Sequence, residues 1–221
     1  MPKPSTLVAA TRFRLLSIPS WVLVTELFIG AGWLRAWAEK AISLEWWRGE
    51  TLATFLDTTA DARVPWFHLV TDVVVWPNLV LISALVAFVQ LALGVALVTG
   101  RCRVPALLVG IALNVCFVLA GAVTPSAFYI LAQLAVLLWV IEQRRTERHH
   151  LLATGIGLAG LAVAGSAVLS IGTLHPEHVI EDPSMMLVFA GGLAVVGAER
   201  ARLGTRVAVT EPPERDLVEA A

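Results

Sequence analysis

At 221 residues, with 57% hydrophobic, only 15% charged and a mean hydropathy of +0.78, the chain is too apolar for a soluble domain of its size. The net charge of −1 identifies no partner, because the charges are sorted along the chain and the sum hides the sorting. Cys102 and Cys116 make no CxxC pair and are placed too far apart in depth to bridge, which argues against thiol or metal chemistry by this chain alone.

The apolar runs predict an all-α, polytopic integral membrane protein. An apolar helix of about 20 residues crosses a hydrocarbon core of about 30 Å and satisfies its own backbone where lipid offers no partners. Six such spans are expected, at Pro19–Trp37, Val73–Thr99, Val104–Gly121, Ser126–Ile141, Leu151–Ile171 and Ser184–Ala198. The second and third form a hairpin whose only charges are Arg101 and Arg103, in the break Gly100-Arg101-Cys102-Arg103.

With the N-terminus inside, Lys3, Arg12, Arg14, Arg101, Arg103, Arg144, Arg145, Arg148, Arg200, Arg202, Arg206 and Arg215 fall on the inner side, and Arg35, Lys40, Arg48 and Arg63 on the outer. Twelve against four fixes the orientation by the positive-inside rule, with both termini cytoplasmic and the protein in the plasma membrane. No small-residue cleavage site follows Trp21 to Ala31, so the first span is expected to be retained. Trp21 and Trp139 sit at inner ends; Trp33, Trp37, Trp46, Trp47, Trp66 and Trp76 crowd the outer ends, where indole favours the interface.

One long connector lies outside, between Glu45 and Asp72. Trp46, Trp47, Leu52, Phe55 and Leu56 recur there near helical spacing, which predicts an amphipathic helix on the outer surface. The fifth and sixth spans are rich in Gly and Ala and read as packing helices. Gly155-Ile-Gly157-Leu-Ala-Gly160 fits a dinucleotide-loop pattern, but no strand precedes it and no acidic residue follows at the ribose distance, so it reads as close helix packing. The domain reading is a cytoplasmic segment 1–18, a four-helix membrane domain 19–142, two further spans within 143–203 and a disordered cytoplasmic tail 204–221.

Polar groups inside hydrocarbon cost several kcal/mol unless paired, so they are the first candidates for function. Counting at about 1.5 Å per residue from the inner ends puts Glu26, Gln90, Asn114 and Gln133 at similar depths on four helices and predicts that they converge. Two readings stand for the three amides, interhelical hydrogen bonding and a functional site. Glu26, the lone intramembrane carboxylate, is the candidate proton-handling residue. At the outer end, Arg35 and Glu39 are four apart and able to pair. Arg35 and Lys40, with Arg48 and His68 among the tryptophans, read as either snorkelling residues or an outward-facing anion site.

None of the five histidines falls in a predicted span, so a haem held between helices is not expected. His175-Pro-Glu-His178 has a metal-like spacing without a third ligand and is not read as a metal site; His149 and His150 read as an inner headgroup edge. No phosphate loop, nucleophile elbow or nucleic-acid-binding element occurs. Any electron carrier is therefore a lipid-soluble quinone or a partner protein.

The segments GWLRAWAEK, Glu45-Trp46-Trp47 with Gly49 and Phe55, Pro65-Trp66-Phe67, Pro77-Asn78, and above all QLALGVALVTGRCRVPALLVGIALNVCFVLAG followed by Pro125, resemble the DoxX-like superfamily. The closest flavour is the DoxD type, the small membrane subunit of thiosulfate:quinone oxidoreductases. The resemblance covers Trp21 to Trp139 and implies a four-helix membrane bundle, here with two additional C-terminal spans. It also implies quinone-linked oxidation of thiosulfate or another reduced sulfur compound, with a second redox subunit or a soluble sulfur or thiol enzyme as partner. On that reading Glu26, Arg35 and Lys40 are the catalytic candidates, and Trp33, Trp37, Trp46, Trp47, His68, Gln90 and Asn114 bind substrate or quinone. One departure is Gln90, which stands where the family usually carries Glu and puts a proton relay through that position in question. The alternative is a non-catalytic anchor or assembly factor for a soluble redox enzyme.

Overall fold

The structure, a computed structural model, describes residues 18–143, 147–168, 170–171 and 182–210, and every regular element among them is helical. Helix α1 (Ser20–Ala41) leads through two short helices, α2 (Leu44–Trp47) and α3 (Glu50–Thr58), to α4 (Phe67–Val70). The chain then runs through a π turn at Thr71–Val75 and a 3₁₀ turn at Trp76–Asn78 into α5 (Leu79–Thr99). Helices α6 (Arg103–Leu119), α7 (Val123–Gln143), α8 (Glu147–Val168) and α9 (Pro183–Thr210) follow.

Pro77 explains the irregular lead into α5. It has no N–H, and in a regular helix its ring would strike the carbonyl four residues back; the wide turn before it and the tight turn around it let the helix pass. The result is one helical stretch, Phe67–Thr99, that begins before the expected Val73 and takes His68 into its first turn. At its other end Gly100 adopts φ +70°, and its N–H closes on the Leu97 carbonyl at 3.2 Å. Cys102 follows at φ +50°, so a three-residue turn folds α6 back along α5.

Among the described residues, four helical stretches are long and apolar enough to cross a membrane: Phe67–Thr99, Val123–Gln143, His150–Val168 and Pro183–Arg202. This is a membrane protein by length and composition. The other two expected spans differ for physical reasons. Helix α6 is apolar but has 17 residues, about 25 Å at 1.5 Å per residue, and α1 carries Glu26, Arg35, Glu39 and Lys40. The sixth helix also outruns its expected end at Ala198: the Ala, Arg, Glu and Leu run after it sustains α9 to Thr210, so 204–210 are helical rather than a disordered tail. The rest of that tail, residues 1–17 and the His175 to His178 motif lie outside the described residues.

The core sits between the helices. Val22, Ile29 and Trp33 of α1 pack with Leu93 and Leu97 of α5, Leu107 of α6, Leu134 and Leu137 of α7, and Ala153 and Ala198 of α8 and α9. A second cluster joins Val118 of α6 and Ile130 of α7 to Met186 and Leu187 of α9. Trp21 and Trp139 meet edge-on at 6.3 Å at one end of the bundle; residues 42–66 cover the other. These are called the Trp21 end and the Trp46 end below.

The single amphipathic helix expected after Glu45 is two helices. Gly49, at φ +80°, breaks it, and a Cβ there would lie 2.8 Å from the Leu79 Cβ. The two pieces fold onto the bundle, so Trp46, Leu52 and Leu56 are buried in the protein instead of lying on its surface. Gly49→Ala is therefore expected to destabilise the protein by about 2 kcal/mol, from the left-handed backbone and the clash together, as read by thermal unfolding in detergent.

Candidate functional site

Close contacts set the register of the bundle. A Cβ on Gly30 would meet Val98 and Leu97 at 2.9 and 3.2 Å, and one on Gly94 would meet Leu34 at 2.6 Å, so α1 and α5 run antiparallel with Leu34 level with Gly94. Val86 and Ala87 of α5 pack with Leu113 and Phe117 of α6, which puts Gln90 level with Asn114 across the hairpin. A Cβ on Gly110 would lie 2.9 Å from the Gln133 Nε2, which places Gln133 of α7 one turn nearer the Trp21 end. Trp33 falls at that same level. At about 1.5 Å per residue, Trp33, Gln90, Asn114 and Gln133 occupy a layer about 7 Å deep, one group from each of four helices.

All four are buried, at 4%, 2%, 3% and 0% exposure. The Asn114 Nδ2 donates to the Gly110 carbonyl at 3.0 Å. The Trp33 Nε1, the Gln90 Oε1 and both amide atoms of Gln133 have no hydrogen-bond partner among the described residues. The three amides thus share a layer as expected, but the fourth member is Trp33 and not Glu26. Counting each span from its own inner end misplaced Glu26, which lies seven residues, about 10 Å, nearer the Trp21 end than Trp33.

Glu26 is fully buried there and ion-paired with Arg103, whose side chain keeps 16% of its exposure. Arg103 comes from the Gly100 turn and reaches into the bundle, where sequence reasoning counted it only as an inner-face charge. Pairing across helices needs the register, and no local pattern at Arg103 announces it.

The proposed anion cluster is drawn apart. Arg35 donates to Glu39 at 2.9 Å, with 82% of its side chain exposed. Lys40, five residues on and so about 140° around the helix, donates to the Ala36 carbonyl at 3.2 Å and sits 4.7 Å from the centroid of the Trp46 ring. Burial holds its ammonium below the ordinary lysine value, against the opposing pull of the Glu39 carboxylate. Arg48 is exposed.

His68 instead faces Arg63, with its Nδ1 3.5 Å from the guanidinium. Arg63 is the functional-looking residue that sequence reasoning missed: it is 6% exposed, donates to the Thr71 Oγ1 at 2.7 Å and to the Leu56 carbonyl, and so ties α3 to the lead into α5. Arg63, one of two arginines in a Thr- and Asp-rich connector, carries no sequence signal of that role.

The expected quinone-binding set is divided in the same way. Trp33, Gln90 and Asn114 are sealed inside the bundle; Trp37, Trp46 and Trp47 gather at the Trp46 end. There the Trp46 Nε1 donates to the Ser83 carbonyl at 2.9 Å, the Trp47 Nε1 donates to the Ala41 carbonyl at 3.2 Å, and Trp47 lies 6.0 Å from Phe88. This end offers flat aromatic surface beside a fixed cation. No protein-family model, curated protein or solved structure matches the chain.

Proposed function

We propose that this chain is the membrane subunit of a quinone-linked redox system that oxidises thiosulfate or another reduced sulfur compound. The reading rests on the DoxX-like resemblance. The observation that supports it best is the ammonium of Lys40 over the Trp46 ring at 4.7 Å, with Trp37, Trp47 and Phe88 beside it. A cation held among aromatic rings suits an anionic reductant and a flat, lipid-soluble acceptor at one place. Lys40 would draw the anion, the tryptophans would seat the quinone ring, and a second subunit would complete the electron path. In this reading the Trp46 end faces outward from the plasma membrane, both termini are cytoplasmic, and six helices cross the bilayer as a four-helix bundle plus two.

Membranes containing the protein are expected to reduce a short-chain quinone with thiosulfate faster than matched membranes lacking it. Lys40→Ala at normal protein level is expected to lower that rate about tenfold, the equivalent of roughly 1.4 kcal/mol in the barrier. No protein-dependent rate from correctly folded protein would overturn the reading.

A second reading is a non-catalytic anchor for a soluble redox enzyme. Arg101 and Arg200 favour it: both are exposed at the Trp21 end, and Arg200 is only loosely engaged with Glu142 at 3.6 Å. Copurification of a soluble redox enzyme that is lost on removing these charges, with no turnover by the isolated chain, would select it.

A further inference from the structure

The layer formed by Trp33, Gln90, Asn114 and Gln133 carries an inference that stands whether or not the chain handles quinone. Its unpartnered atoms are of both kinds: the Trp33 Nε1 and the Gln133 Nε2 donate, while the Gln90 Oε1 and the Gln133 Oε1 accept. Leaving one such atom unpaired costs about 1–3 kcal/mol, so a layer holding four of them is a poor choice for packing alone. An apolar side chain at position 133 would fill the space at no such cost.

Charge and size narrow the occupant. None of the four residues is ionised; along α1, Arg35 lies two residues from Trp33 but is 82% exposed and paired with Glu39, and the buried charge, Glu26, is about 10 Å away and engaged with Arg103. That excludes an ion, which would need a counter-charge in this setting. The four residues are each under 5% exposed, and Gly110 presses its backbone against Gln133, so a substituted ring does not fit. A molecule of a few heavy atoms that both donates and accepts hydrogen bonds meets every requirement.

We propose that this layer is a binding site for a small neutral hydrogen-bonding molecule, either water or an amide- or alcohol-sized solute. The occupant bridges the Gln133 amide to Gln90 and Trp33, and Asn114 is fixed beside it by its bond to the Gly110 carbonyl. Such an occupant keeps the middle of the bundle polar without placing a charge in it.

The chain has three glutamines, Gln90, Gln133 and Gln143, and Gln143 is exposed, so it serves as an internal control. In the full-length protein in lipid nanodiscs, with glutamine side-chain nitrogens labelled and assigned in the unaltered chain, magnetisation transfer from water to each amide is measured. Transfer to Gln133 and Gln90 as fast as to Gln143 identifies water. A shift of the Gln133 and Gln90 resonances on adding acetamide, with Gln143 unmoved, identifies a solute. Neither transfer nor shift at Gln133, with Gln143 responding to water, overturns the proposal. Gln133→Leu adds a second arm: transfer to Gln90 is lost if the two amides share an occupant, and unchanged transfer overturns the shared site.

Discussion

Replacing Arg103 with methionine is expected to destabilise the protein by about 3–5 kcal/mol, the range for breaking a buried ion pair from one side, and to cost more than Glu26→Gln. The asymmetry follows from where each partner stands. Glu26 has no exposure, so withdrawing Arg103 removes a counter-charge from a carboxylate that cannot reach water. Arg103 starts from a turn at the Trp21 end and keeps part of its side chain exposed, so without Glu26 its guanidinium can swing to the headgroup region.

The double variant Glu26→Gln with Arg103→Met should be less destabilised than the sum of the two singles by at least about 1 kcal/mol, because the pair couples. Thermal unfolding of the four proteins in one detergent measures the cycle. Additive effects would show that the contact is incidental.

The same pair marks where the sequence stops being legible. The apolar runs announced the helices, since burying twenty consecutive nonpolar side chains leaves few alternatives: α7 and α8 lie where they are expected within a few residues, while the stretch leading through α5 begins at Phe67 and α9 runs on to Thr210. Burial of Glu26, Gln90, Asn114 and Gln133 was likewise legible, because a polar group in an apolar run must turn inward. Depth was not. It depends on how far each helix slides against its neighbour, and that is fixed by contacts such as Gly30 on Leu97 and Gly110 on Gln133, which no single helix encodes.

Sliding explains why Trp33 joined the amides and Glu26 did not. The connector failed for a different reason: helical spacing in residues 45–56 was real, but Gly49 satisfied it with two short helices, and those residues found a protein surface to cover before a lipid one. The Arg35 and Lys40 site dissolved because residues five apart leave a helix in different directions. Arg63 was invisible, since a buried arginine in a loop is defined by the carbonyl and hydroxyl that surround it.

Gly191→Val is the other substitution expected to be severe. Helices α8 and α9 approach until a Cβ on Gly191 would collide with the Gly160 carbonyl oxygen and lie 2.9 Å from the Ala164 Cβ. The reverse contact is as close, with a Cβ on Gly160 2.7 Å from the Gly191 oxygen. Both obstacles are rigid, one being backbone and the other a methyl without rotamers, so the helices must separate. In a bilayer that separation is costly, because helix association there draws on van der Waals packing with little help from the hydrophobic effect. Overpacking of this kind costs about 1–3 kcal/mol. It is expected at the upper end here, and the loss should propagate to α7, where Gly197 gives the Leu138 side chain its space.

Gly155 and Gly165 supply the control, since a Cβ at either meets nothing within 4 Å. Their alanine variants are expected to match or exceed the parent protein by up to about 1 kcal/mol, as alanine is the better helix former. Thermal unfolding of the three variants side by side separates a packing requirement at Gly191 from a general dislike of substitution in these helices. If Gly191→Val unfolds with the controls, the close approach of α8 and α9 does not hold the bundle together, and the GIGLAG run needs another explanation.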